Sequence, residues 1–236
     1  MSTRGDIVDT SKYWSESQLR NGLIYSEVLG WLDMGHARGD DIRKLMADFA
    51  SGEASGKDFY DVRYEQKMGV NRIRTGRFII WKIKSGRSVE QRKSIALSMM
   101  MNAGVVFENW QPMPWFSWYT DSGFSGEDLV SDLFGFYKVT SPKHYWNDLQ
   151  IVSQESALRR WDHYGPIGSY KNSGFLPLLF PEPVKRFTCV RAPFKGNLPG
   201  FMTSVTPYKL TLDDDIVRPI TRRVGVSFSI EEVTNE

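Results

Sequence analysis

An α+β fold, with a central buried helix surrounded by other helices and a small antiparallel sheet, is what this sequence predicts. Three observations carry it. The run from Ile95 to Phe107 is the most apolar in the chain and follows a helix-opening signal, so a helix there must be covered on nearly all sides. Segments with apolar residues at every second position, Phe59 to Gln66 and Arg223 to Ile230, lie before and after it and read as strands. The order helix, strands, three helices, loop, strands does not alternate as a doubly wound parallel sheet requires.

The elements follow in order. Residues 1–20 are polar and read as a loosely ordered arm, with Tyr13 and Trp14 as anchors. Gly22-Leu23-Ile24-Tyr25 is a short apolar segment. From Gly35 to Ser51, Ile42, Leu45, Met46 and Phe49 recur at helical spacing, while Asp40, Arg43, Lys44 and Asp48 face outward. Gly52 and Gly56 should break that helix. In the strand from Phe59, Tyr60, Val62 and Tyr64 share the buried side. Phe78-Ile79-Ile80-Trp81, within Arg77 to Ile83, is continuous enough for burial on both faces.

Ser88 and Gln91 form a capping box at the head of the apolar helix, which should run to about Trp110 and stop before Pro112. Ser125 and Asp128 resemble a second helix start, leading to Leu129, Leu133 and Phe136. Ser141-Pro142 should open a third helix with Tyr145, Leu149, Val152 and Leu158 on its apolar face, ending near Gly165. Seven prolines between 165 and 207, from Pro166 to Pro207, favour extended loop. Tyr208 to Leu212 and Arg223 to Ile230 are the late strands, the second with Val224, Val226, Phe228 and Ile230 on one face.

The 236 residues, 41% apolar and 25% charged, are enough for one domain spanning 1–236 with a substantial core. Lys and Arg, 30 together, nearly balance 28 Asp and Glu, so no field of one sign is available to recruit nucleic acid. No run is long enough for a transmembrane helix. Polar Met1 to Asp9 is followed by no apolar core of a signal peptide. The single cysteine, Cys189, excludes an intramolecular disulfide and a multi-cysteine zinc site, and its apolar neighbours suit a buried inert thiol. The outstanding quantity is aromatic: 8 Trp, 10 Tyr and 14 Phe make up 14% of the chain, which leaves rings to spare for a binding surface.

Two constellations carry candidate chemistry. In Asp33-Met34-Gly35-His36-Ala37-Arg38-Gly39-Asp40-Asp41, a helical reading puts Asp33, His36 and Asp40 on one face. A histidine flanked by carboxylates can act as an oriented acid or base or bind a metal; equally, Asp33 can cap a helix with His36 hydrogen-bonded to an acid. The second spans Phe107 to Phe124. Glu108, set among Phe107, Trp110 and Trp115, would lose hydration and have its pKa raised, as a general acid requires. Asp121, in a polar loop, would stay ionised as the other carboxylate of a glycoside-cleaving pair. Trp110, Trp115, Trp118 and Tyr119 offer flat faces to a sugar, or anchors to a protein partner. His144 and His163 are too far apart to form one site. Asp213-Asp214-Asp215 lacks calcium-loop spacing and reads as a turn. No phosphate-cradle, dinucleotide or nucleophile-elbow motif is present, and no cofactor is implied.

Two stretches resemble one family. Asn21 to Asp41 is similar to the N-terminal motif of a family of bacterial proteins defined by a domain of unknown function, in which a GxxDxxHxR core follows GLIY. Gly30, Asp33, His36 and Arg38 match it. Phe116 to Gly135 resembles the same family's FSxEDxxSNxLG segment, through Phe124, Ser125, Glu127, Asp128, Ser131, Leu133 and Gly135, with Asp132 standing where the family has Asn. The resemblance implies exported or lipoprotein-like relatives in Gram-negative envelopes, and no catalytic residue. With the aromatic and carboxylate features it raises the expectation of a cell-envelope hydrolase that cleaves the glycan of peptidoglycan. That protein would be an effector delivered by a dedicated secretion system, with Glu108 and Asp121, and His36 with Asp33, as catalytic candidates. Arg38, Trp110, Trp115, Trp118 and Tyr119 would hold substrate. The alternatives are a binding or immunity protein that meets a cognate partner through the Trp-rich segment, or a metal-dependent amidase or peptidase at Asp33, His36 and Asp40.

Overall fold

The computed structural model describes residues 2–70, 73–109, 127–172, 174–183, 192–211, 214–220 and 225–230; among these 66–70, 73–77, 104–109 and 225–230 are described as backbone only. The order is β1 (Leu23–Ser26), β2 (Gly30–Asp33), α1 (Asp40–Ala54), β3 (Phe59–Val70), β4 (Ile73–Lys84) and α2 (Val89–Asn109). Then come α3 (Asp128–Thr140), α4 (Trp146–Leu149), α5 (Gln154–Tyr164), β5 (Leu178–Leu179), β6 (Phe194–Lys195), β7 (Val217–Pro219) and β8 (Gly225–Ile230). The class is α+β, with two small sheets. The chain forms two compact units, residues 1–39 with 110–204, and residues 40–109 with 205–236.

The first unit is built on the sheet β1-β2-β5-β6. β1 and β2 are antiparallel, and Gly30 pairs with Leu178 in the parallel direction. Gly30 has φ 73°, and a Cβ there would sit 2.1 Å from the Leu178 carbonyl oxygen, so only glycine permits this pairing. Leu23, Tyr25 and Trp31 bury against Ala157 and Trp161 of α5, with Ile7, Ile167 and Phe180. The rings of Tyr25, Trp31 and Trp161 meet edge to face in series. Residues 2–20, expected to be a loose arm, are three short 3-10 turns tied into this core: Ile7 bridges Leu23, and Arg4 grips Asp162 with two hydrogen bonds. Trp14 is no anchor; its ring is 71% exposed.

The helix expected from Pro142 to Gly165 is two helices. Gln150 stands in the left-handed region, φ 47°, and Ser153 opens α5 by accepting from the Ser156 amide at 3.2 Å. The break has a tertiary cause. The Gln150 carbonyl accepts from the Glu27 amide, and the Val152 amide donates to the Tyr25 carbonyl, so the connection is claimed by β1 and its turn.

In the second unit β4 is the middle strand. One edge pairs β3 along its whole length; the other pairs β8 over Ile73 to Phe78 and β7 over Trp81 to Ile83. Tyr60, Val62 and Tyr64 are buried as the alternation requires. Among the described side chains of β4 the Ile79, Trp81 and Ile83 face is buried, while Phe78 and Ile80 are half-buried and Lys82 exposed, so burial on both faces is not realised there. α1 does not end at Gly52, whose missing side chain makes room for the Tyr60 ring; it ends before Gly56, φ 70°. The Ser88–Gln91 capping box forms as predicted. In α2 the six residues Ile95 to Met100 are all buried, as is Ala103, while Met101 is half-buried and Asn102 exposed, so the apolar run is covered on every side only over its first six residues; the side chains of 104–107 lie outside the described residues. Tyr208 to Leu212 is no strand over its described residues, because the Tyr208 amide donates to the Ser94 carbonyl and its carbonyl accepts from the Ser98 hydroxyl. The strand forms instead at β7, after the Asp214 carboxylate has gathered the Ile216 and Val217 amides and the Tyr208 hydroxyl.

Candidate functional site

Within the first unit, the end of β2 delivers the chain to α3, and the join is made of backbone and small groups. The Asp33 amide donates to the Ser131 hydroxyl at 2.9 Å, which donates to the Glu127 carbonyl at 2.7 Å. The Asp33 carboxylate turns back to accept from the amides of Gly35 at 2.7 Å and His36 at 3.4 Å. That hydrogen bonding forms the 3-10 turn His36–Arg38, the local capping that a short acidic side chain favours. Gly39 closes the turn at φ 68° and lies against Gly135 of α3, where a Cβ on Gly39 would come within 2.5 Å of the Gly135 carbonyl oxygen. Two glycines in register let the turn rest on the helix backbone.

This docking sets the His36 ring among carboxylates. Nδ1 lies 3.0 Å from Oδ1 of Asp132, a side chain 9% exposed, and Nε2 lies 3.9 Å from Oδ1 of Asp128. Asp128 and Asp132 are one helical turn apart on α3 and so share a face. Asp128 also sits in the first turn of that helix, where the dipole favours a negative charge. Burial by itself would lower the His36 pKa, but Asp132 first, then Asp128 and Asp33, outweigh it and push the pKa up to about 10. At neutral pH the ring is therefore an imidazolium, with Nδ1–H bonded to Asp132, Nε2 beyond hydrogen-bond distance of Asp128, and 30% of the side chain open to solvent. Such a group donates a proton, or binds an acceptor through a charge-assisted hydrogen bond from Nε2. Beside it, Glu127 is buried with its carboxylate accepting from the Ser2 hydroxyl at 2.9 Å.

Of the residues singled out from sequence, Asp33 and His36 come together, and Arg38 ends the same turn half-buried. Asp40 does not join them. The left-handed Gly39 ends the turn, so Asp33, His36 and Asp40 lie on no common helix, and Asp40 binds Arg43 at 2.7 Å instead. Among the described residues no three His, Cys, Asp or Glu side chains converge on a point as a metal ion would require. Glu108 lies in the last turn of α2, its side chain outside the described residues. Trp110, Trp115, Trp118, Tyr119, Asp121, Ser125, Cys189 and Asp213 also lie outside them. His144 and His163 are exposed.

Sequence reasoning missed Asp128 and Asp132 as partners of His36. The signal was present in the sequence of α3. A polar i, i+4 pair on a helix otherwise buried at Leu129, Val130, Leu133 and Phe134 marks a face that must find a polar partner. No protein-family model, curated protein or solved structure matches this chain. Among the described residues no helix is long and apolar enough to cross a membrane.

Proposed function

We propose that this protein is a hydrolase acting on the bacterial cell envelope, with His36 as its proton donor and peptidoglycan as its substrate. The observation that carries the reading is the His36 ring held between Asp132 and Asp128 while part of it stays open to solvent. The Asp132 carboxylate fixes the orientation of the ring, and general acid catalysis needs an oriented donor that gives up its proton and regains it in each turnover. The imidazolium gives the Nε2 proton to the departing oxygen or nitrogen of the scissile bond. Asp128 takes a proton from the attacking water, and transfer from its carboxyl group back to the ring restores the starting state. The envelope assignment rests on the resemblance of both stretches to a family of exported proteins.

The test is release of soluble fragments from purified sacculi, with mass spectrometry reading whether a glycosidic or an amide bond was cut. The wild-type chain should release fragments, and His36→Gln should slow release by about 10²–10⁴-fold, the usual contribution of a positioned acid. Glu108→Gln in the same assay tests the carboxylate-acid version of the mechanism, in which Glu108 and Asp121 cut the glycan. Full activity in His36→Gln removes His36 from the chemistry. A wild-type chain that sediments with sacculi and releases nothing is a binding protein, and the hydrolase reading then fails.

A further inference from the structure

A cavity of about 340 Å³ opens in the first unit where the N-terminal turns meet the connection from α4 to α5. Its size falls within the range of small-molecule sites. Its walls include the half-exposed rings of Tyr13 and Trp146 and the polar side chains of Asp9, Ser11, Ser153 and Gln154. It shares no residue with the His36 centre.

The polar groups are held in place. The Asp9 carboxylate accepts from the amide of Ser11 at 3.2 Å and its hydroxyl at 2.7 Å, with Lys12 Nζ 3.4 Å from the other oxygen. The Ser11 hydroxyl bond, then the amide, holds this carboxyl below its ordinary pKa, so it stays an acceptor at any physiological pH. The Gln154 amide nitrogen is committed to the Ile7 carbonyl at 2.8 Å, which leaves its oxygen as the remaining acceptor. The Ser153 hydroxyl oxygen accepts from the Ser156 amide and so keeps its own proton to donate. Each aromatic ring combines a flat apolar face with a polar edge. Trp14, next in the chain to Tyr13, leaves its ring in solvent.

We infer that this groove binds a segment of neutral glycan, a sugar ring lying on Tyr13 or Trp146 with its hydroxyls donating to Asp9 and Gln154 and accepting from Ser153. Aromatic faces match the C–H faces of a pyranose, and fixed acceptors match a ring of hydroxyl donors. A carboxylate on the wall disfavours an acidic sugar. A purely apolar ligand would cover Asp9, Ser153 and Gln154 without using the hydrogen-bonding capacity each has left after its bonds within the chain. The choice of sugar class rests on the envelope reading above, but binding needs no turnover, so the two can fail separately.

The experiment titrates the full chain with chitotetraose, read by tryptophan fluorescence and by saturation-transfer NMR. Wild-type protein should saturate. Trp146→Ala and Tyr13→Ala should each weaken binding about tenfold or more, as should Gln154→Ala. All three positions are surface-accessible, and circular dichroism matching wild type establishes that each variant is folded. If no saturation is seen with chitotetraose, or if folded Trp146→Ala and Tyr13→Ala bind as wild type does, the glycan groove is overturned.

Discussion

Oδ1 of Asp132 lies 3.0 Å from Nδ1 of His36, across 96 residues of chain, and this contact sets the charge of the ring. The unfolded chain holds histidine near its ordinary pKa of about 6.5. The folded chain holds His36 at about 10, so the folded state binds the proton more tightly. Stability from this group is complete below about pH 6.5 and is lost as pH rises through about 10. Urea midpoints should fall between pH 6.5 and 10 in the wild type, and His36→Gln should flatten that slope. Asp132→Asn should bring the His36 titration, followed by NMR, back toward 6.5. A ring that titrates near 6.5 in the wild type refutes the assignment.

Gly39 and Gly135 should tolerate alanine unequally. Gly39→Ala puts a side chain at φ 68° and drives it toward the Gly135 carbonyl oxygen and Val139. The left-handed conformation alone costs about 1–2 kcal/mol, before any clash. Gly135→Ala meets only backbone atoms at 3.1–3.3 Å from an ordinary helical conformation, so its cost should be smaller. Denaturant unfolding of both variants checks the order.

Ser131→Ala removes a hydroxyl that is fully buried and joins two backbone groups, the Asp33 amide and the Glu127 carbonyl. The Asp33 amide then lacks its acceptor, which should cost about 1–3 kcal/mol. The same variant should loosen the His36 turn, seen as faster hydrogen exchange at Gly35 and His36.

Arg160 is 1% exposed and lies under Tyr25, with its guanidinium on the Phe180 carbonyl, Glu27 and Glu182. Removing both carboxylates, Glu27→Gln with Glu182→Gln, leaves a buried cation without its counter-charges, and because both carboxylates are partly exposed the cost should be about 1–3 kcal/mol. Arg160→Met removes the cation too and should cost less than that pair. Thermal unfolding of the two variants decides the order; if Arg160→Met is the worse, the guanidinium acts mainly through Phe180 and the Tyr25 ring.

The sequence alone determined the pieces whose cause is local. Period-two alternation at Tyr60, Val62 and Tyr64 placed β3, the Ser88–Gln91 pair placed the head of α2, and the apolar density of Ile95 to Phe107 required burial, which is found from Ile95 to Met100. It also drew attention to Asp33 and His36. The tertiary structure decided what depends on a partner far along the chain. The helix from Pro142 is split because β1 and its turn claim the Gln150 carbonyl and the Val152 amide, and the Tyr208 segment is no strand because α2 takes its hydrogen bonds. Asp40 leaves the His36 cluster because Gly39 turns the chain onto Gly135, and Asp132 enters it because α3 lies there to receive the turn. Backbone propensity acts over a few residues and can be read along the chain. A backbone group's choice between helix and strand partners, or an imidazole's choice of carboxylate, is settled only when distant segments pack, because each bond formed excludes the competing one.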